Sequence, residues 1–405
     1  MSYDNSNDAS VVLGRITRFS LCTLIFCLPF SNAIAEISAT VAISAWIACR
    51  FITKDRSYSP GFSIFILAGY LGANLLSVFT SSNPVLSTKA FFFKVCEYAL
   101  VFVVASDSIF DKNTLKKVIN VIITISLILA FDGLIQFIFG FEFLRQRSSA
   151  FGVPRISASF VSPNDFASYL ITIIPLMTAM LIYGNITAMG KKAFAGTILL
   201  SFICLLLTYS RSGILSFGVG IGMLLILADN RGRRRLLVAS VAFTALFVFL
   251  YLSIYGKLNL FSGVETDRLK IWHIAWRMFK DRPILGHGIS TFMSVFGAYK
   301  GTSYQSIVYA HNCYLQMLAE TGVVGLIFFL LLLLGVFFYG FYALYKTKDT
   351  FYRSILAGMI SGLSAHLFQA AFDTSLYSLP LALLFWSFLG LTVAVSRISL
   401  SSSIH

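Results

Sequence analysis

The chain has 405 residues, 57% of them hydrophobic and 15% aromatic, with a mean hydropathy of +0.82. Those values exclude a soluble globular domain and fit an all-α polytopic membrane protein. The formal net charge of +14 is explained in so apolar a chain by basic residues gathered in cytoplasmic loops, and no nucleic-acid partner is expected.

A spanning helix needs roughly 20 apolar residues. At the N-terminus Arg15 and Arg18 precede FSLCTLIFCLPF and Ala33-Ile34-Ala35, the outline of a secretory signal, but an uncleaved first span is expected in a polytopic chain. Apolar runs bounded by charges or turn residues predict about twelve transmembrane helices, near 13-30, 33-52, 62-80, 85-105, 116-140, 164-183, 193-209, 212-228, 236-255, 311-345, 353-372 and 378-396. The tenth is overlong, and its first part, HNCYLQMLAETG, reads as an amphipathic start at or above the membrane surface. The segment 256-310 is the one long polar excursion. Within it Leu269, Trp272, Ile274 or Ala275, Trp276 and Phe279 recur at helical spacing, which predicts an amphipathic surface helix with aromatic residues at headgroup depth. Asp281-Arg282-Pro283 ends that helix. The six cysteines lie scattered, mostly in apolar runs, and read as small core residues.

Alternate joins carry Arg15/Arg18, Arg50/Lys54/Arg56, Lys112/Lys116/Lys117, Lys191/Lys192, Arg231/Arg233/Arg234/Arg235, Lys346/Lys348/Arg353 and Arg397. All fall on one side, so both termini are expected in the cytoplasm. The remaining basic residues need another explanation. Lys89 and Lys94 fall inside the fourth span, and Arg145, Arg147, Arg155, Arg211, Lys257, Arg268, Lys270, Arg277, Lys280, Arg282 and Lys300 fall on the outer face, against the usual bias. They concentrate in the loop 141-163, the turn at Arg211 and the loop 256-310.

Arg211 sits in the turn TYSRSG, where small neighbours let a guanidinium fork onto phosphate oxygens; the plainer reading is an arginine snorkelling to the interface. His311 begins a long span on the same face, and histidine is the side-chain type suited to proton abstraction near neutrality, although a lone interfacial histidine is commonly structural. Arg268, Lys270, Arg277, Lys280 and Arg282 read either as a lipid-facing charge run or as an anion site. Arg155 precedes FVSPNDFASYL, whose Ser162-Pro163 marks a helix start. His366, Gln369 and Asp373, and Lys89, Lys94 and Glu97, are intramembrane polar groups of second rank. There is no P-loop, dinucleotide turn, GxSxG elbow, HExxH or Asp-rich metal motif, so no cofactor is expected.

TYSRSG (208-213), DRLKIWHIAWRMFKDRPILGHG (267-288), HNCYLQMLAETGVVGL (311-326) and ASFVSPNDFASYL (158-170) together resemble, in order and spacing, the O-antigen ligase and polymerase superfamily of bacterial envelope glycosyltransferases. The resemblance covers about 155 to 330. It implies a twelve-span inner-membrane enzyme working on the periplasmic face, moving a glycan from an undecaprenyl-diphosphate carrier to a sugar hydroxyl without metal or nucleotide sugar. By motif, Arg211 and Arg268 would hold the diphosphate and His311 would activate the acceptor hydroxyl or stabilise the departing group. Arg155, Lys270, Arg277 and Asn312 would bind substrate. The implied organisation is helices 1-5 over 1-140, a catalytic region over 141-345 with its periplasmic loop 256-310, and helices 11-12 over 346-405. The acceptor separates a ligase, which uses lipid A core, from a polymerase, which uses a second lipid-linked repeat; the ligase is favoured. A transporter or lipid flippase is the alternative of another class, and it would tolerate loss of His311.

Overall fold

A computed structural model of the chain describes residues 2–53, 62–109, 111–144, 155–184, 188–228, 232–234, 237, 264–301 and 309–402. The ninth predicted span, 236-255, apart from residue 237, lies outside the described residues, as do Arg145, Arg147 and Lys257. Among the described residues the regular elements are all helical. They are α1 (Ser2–Cys27), α2 (Asn32–Thr53), α3 (Phe62–Phe79), α4 (Pro84–Ala90), α5 (Cys96–Ser108), α6 (Lys112–Phe139), α7 (Pro163–Tyr183), α8 (Ala188–Leu207), α9 (Arg211–Leu227), α10 (Val264–Asp281), α11 (Phe292–Tyr299), α12 (Cys313–Lys346), α13 (Thr350–Gln369) and α14 (Leu379–Ser401). A π-helical turn, Phe91–Val95, joins α4 to α5. Seven of these helices are long and apolar enough to cross a membrane, and α3 and α9 are shorter apolar helices. The protein is therefore a multi-pass, all-helical membrane protein.

Helix starts follow the local chemistry of the sequence. Orphan N–H groups of a first turn are met by a short polar side chain: Asp111 Oδ1 accepts from Asn113 and Thr114 N, Ser162 Oγ from Asp165 N, Ser210 Oγ from Gly213 N and Asp349 Oδ1 from Phe351 N. The centre of the bundle is α7, α13 and α14, whose apolar side chains are buried on nearly every side. Contact between α7 and α13 depends on small residues, as membrane helix pairs commonly do. A Cβ at Gly362 would lie 2.1 Å from the Thr172 carbonyl oxygen, and one at Gly358 would lie 2.5 Å from Leu176 Cα.

The two ends of the bundle differ in charge. One end gathers the ion pairs Arg50–Asp107, Lys112–Asp349 (2.6 Å) and Arg397–Asp107 (3.7 Å), with Trp46 Nε1 donating to Asp107 Oδ2 at 2.6 Å. The opposite end gathers the join 80–84, the stretch from Arg155 to Ser162, the α8–α9 turn, the segment from α10 to Gly301 and the join 370–378.

The predicted surface helix is α10, ending at Asp281 as expected, but its stripes are offset. Ile271, Ile274, Ala275 and Met278 are buried against Phe292 and Phe296 of α11 and Ala319 of α12, whereas Leu269 and Trp276 are exposed. The aliphatic stripe is narrower yet fits closely against its own chain, leaving aromatic residues on the outer side. The overlong tenth span is α12, broken at Gly322, where φ is 65° and ψ is −169°.

Candidate functional site

The break in α12 organises the charged end. Interrupting a helix frees carbonyls before the break and N–H groups after it, which must be satisfied inside a membrane protein. The segment 283–288 does this. Val323 and Val324 N donate to Pro283 and Ile284 O at 2.8 and 3.3 Å, and His287 and Gly288 N donate to Ala319 and Glu320 O at 2.9 and 2.8 Å. The Glu320 carboxylate then accepts from Ser290 N (3.0 Å), Phe292 N (3.2 Å) and Gln316 Nε2 (3.2 Å). On the other side His287 holds the segment: its Nε2 faces Met278 O at 3.1 Å, so Nδ1 at 3.2 Å is left to accept from Ser82 Oγ. Ser87 Oγ donates to Ile289 O at 2.8 Å, and Arg282 Nη1 donates to Thr80 O at 2.8 Å. The segment thus clasps α12 to the α3–α4 join.

His311 lies two residues before α12, with φ at 48°, a left-handed conformation uncommon for a residue other than glycine. Its Nδ1 is 3.4 Å from Asp373 Oδ1, and its side chain is 37% exposed while that of Asp373 is 11% exposed. Cys313 fixes the pair locally, since its N–H donates to Ala370 O (2.7 Å) and its Sγ–H to Asp373 O (3.2 Å). Burial pushes the Asp373 carboxyl up, but the hydrogen bond from His311, the Thr374 N–H and the charges of His311 and Arg268 outweigh it and hold the carboxyl below its usual range. Arg268, in the second turn of α10, therefore acts on the same carboxylate as His311.

Arg211 is exposed at the first position of α9, just after Tyr209, another left-handed residue with φ at 51°. Register along the α9–α13 contact fixes its level. Gly220 abuts Ser361 and Ala365, and Ser216 Oγ donates to Gln369 Oε1 at 3.0 Å. Continuing five residues toward the start of α9, at 1.5 Å per residue, brings Arg211 to the level of Asp373, four residues beyond Gln369. Arg155 stands behind this turn, with Nε donating to Thr208 O at 2.9 Å and Nη2 to Asn164 Oδ1 at 3.4 Å.

Residues 196–330 match the O-antigen ligase family. The resemblance drawn from the motifs is thereby supported over that stretch, although no curated protein matches the chain. The matched region contains Arg211, Arg268, Lys270, Arg277, His311 and Asn312. Asp373 and Arg155 come from outside it.

The remaining residues fall less centrally. Asn312 Oδ1 caps α12, accepting from Tyr314 and Leu315 N at 3.0 Å each. Arg277 reaches Tyr299 O at 3.5 Å on an exposed face, and Lys270 is exposed on α10. His366 is buried, its Nδ1 2.9 Å from Thr172 Oγ1. Asp373 was visible in the sequence as one of three polar groups near the outer end of its span, but nothing there pairs it with His311.

Proposed function

We propose that the protein is a glycosyltransferase of the O-antigen ligase type, moving a glycan from an undecaprenyl-diphosphate carrier to a sugar hydroxyl on the periplasmic side of the bacterial inner membrane. The observation that carries this reading is the His311–Asp373 pair, half open to substrate, at the level of Arg211 and within the field of Arg268. Asp373 orients the ring by accepting from Nδ1–H, leaving the lone pair of Nε2 for the acceptor. The acceptor O–H proton passes to Nε2 as its oxygen bonds the anomeric carbon. The bond from that carbon to the diphosphate oxygen breaks, and its electron pair leaves on the diphosphate. Arg211 and Arg268 neutralise that growing charge, as preorganised cations do at a developing anion, and the new imidazolium is stabilised by Asp373. The lipid diphosphate already carries the activation of the donor sugar, so no nucleotide sugar is needed.

Arg155 positions the Arg211 turn in this reading, while Lys270, Arg277 and Asn312 contribute at the rim of the substrate site. The catalytic region of 141-345 is completed by Asp373 from the C-terminal helices, with twelve spans and both termini cytoplasmic. The preferred acceptor is lipid A core, which makes the protein a ligase; a second lipid-linked repeat would make it a polymerase. Purified protein given an undecaprenyl-diphosphate glycan and both acceptors is expected to glycosylate lipid A core. Extension of the lipid-linked repeat instead assigns the polymerase, and failure of both with intact, folded protein overturns the transferase reading.

A further inference from the structure

Lys94 is a cation in the wrong medium. It follows Pro84 by ten residues of helical chain, so it lies about 15 Å below the charged end where α4 begins, deep in a hydrocarbon layer of about 30 Å. Its stem is too short to carry the ammonium back to the interface. It is exposed, beside Phe92 and Phe93, which are 59% and 74% exposed on the same turn and present a lipid-facing surface. Among the described residues Lys94 makes no hydrogen bond and no ion pair. A charged side chain at such depth is costly and marks a ligand or ion path unless it is neutralised.

What Lys94 does face is a cavity of about 70 Å³, lined also by Tyr70, Asn74, Tyr98, Glu320 and Tyr377. Glu320 lines the same cavity but forms no ion pair with Lys94 among the described residues; its oxygens accept from Ser290 N, Phe292 N and Gln316 Nε2, with a further hydrogen bond to Tyr377. The wall of this cavity is the same clasp that holds the break in α12, and Tyr377 lies four residues beyond Asp373. Lys94 itself stands on the π-helical turn Phe91–Val95, an irregularity frequent at functional positions.

We propose that this cavity is a binding site for the phosphate of a lipid, reached sideways from the bilayer, with Lys94 as its counter-ion and the hydroxyls of Tyr70 and Tyr98 as further hydrogen-bonding groups. A free anion has no path of low energy through hydrocarbon to this depth, whereas a lipid phosphate arrives with its tail already in the bilayer. Polyprenyl phosphates and bilayer phospholipids share this chemistry. The site is separate from that of Arg211 and Arg268 and stands whether or not the transferase reading holds.

The test is native mass spectrometry of delipidated full-length protein in neutral detergent, titrated separately with undecaprenyl phosphate, phosphatidylglycerol and inorganic phosphate. The wild-type chain is expected to retain one lipid phosphate that Lys94→Met binds about tenfold more weakly, while Lys94→Arg stays within about threefold. Tighter binding of undecaprenyl phosphate identifies a carrier-lipid site, and tighter binding of phosphatidylglycerol a bilayer-lipid site. Equal lipid occupancy in Lys94→Met, or binding of inorganic phosphate alone, overturns the proposal. The double variant Arg211→Ala/Arg268→Ala reports on the other site: its failure to lose a lipid copy counts against the transferase reading and leaves the Lys94 result intact. Lys94→Met removes an unpaired charge from the bilayer, so its thermal midpoint is expected to be at or above that of the wild type, which separates lost binding from lost folding.

Discussion

His311 and Asp373 form the contact on which the proposed chemistry rests, and each side of it has its own signature. His311→Ala removes the proposed base, and transfer is expected to fall by about 10² to 10⁴ with unchanged expression, read as product on a gel. Arg211→Lys keeps the charge but loses the planar fork, so at least a tenfold loss is expected from a bidentate phosphate contact; activity within twofold of wild type would mean that a point charge suffices. Asp373 also links the site to stability. Its carboxyl is held below the usual range, so its contribution is fully present above the unfolded value of about 3.9 and disappears as pH falls through the lower folded value. The thermal midpoint advantage of wild type over Asp373→Asn should therefore hold at pH 5 and shrink as pH falls below about 4; an advantage already lost above pH 5 would contradict the assignment. Arg211 stands out in the sequence as a basic residue in a tight turn between two apolar runs, and His311 as a histidine at the start of a long span. Their partner does not, since Asp373 lies 62 residues from His311 and only the packing of α13 beside α12 brings it there. Asn312 has a second, local reading: an asparagine before a helical run is a capping signal, and its Oδ1 caps α12.

The interrupted helix α12 shows how an element can carry a site without contributing its chemistry. HNCYLQMLAETGVVGL reads as one overlong run, and the glycine in it reveals a weak point but not its purpose. That purpose depends on the segment 283–288, which supplies carbonyls and N–H groups to the break from elsewhere in the chain, a long-range match with no local signature. Gly322 has φ at 65°, and a Cβ there would lie 2.2 Å from Ile284 O. Gly322→Ala is therefore expected to cost about 1–3 kcal/mol from backbone strain alone, more with the clash, and to lower the thermal midpoint in detergent. Transfer should fall with it, because the segment also holds Ser290 and Phe292 on Glu320 and so the wall near Tyr377. Gly325→Ala tests a different neighbour, since its Cβ would meet the Thr321 side chain rather than the clasp. Equal effects of the two substitutions on transfer would argue that helix packing, not the clasp, supports the site.

The bundle as a whole sorts its charges by end, and this sorting predicts its orientation. Arg50, Lys112 and Arg397, drawn from alternate joins of the sequence, meet Asp107 and Asp349 at one end. Arg155, Arg268, Arg282 and His311 meet carbonyls and Asp373 at the other. The helical, apolar character of the elements was readable because period and hydropathy are local properties, while the split of the fourth predicted span into α4, a π-turn and α5 and the packing order were not, because lipid-facing and helix-facing residues here are alike apolar. If the positive-inside bias sets orientation, the His311 end faces the periplasm. In a background with all six cysteines replaced, Tyr309→Cys and Lys348→Cys place a thiol at exposed positions of opposite ends. An impermeant maleimide added to intact spheroplasts should label the cysteine at 309 and reach that at 348 only after permeabilisation. Labelling of 348 alone from outside would put the His311–Asp373 pair in the cytoplasm, where a donor displayed on the periplasmic leaflet could not meet it.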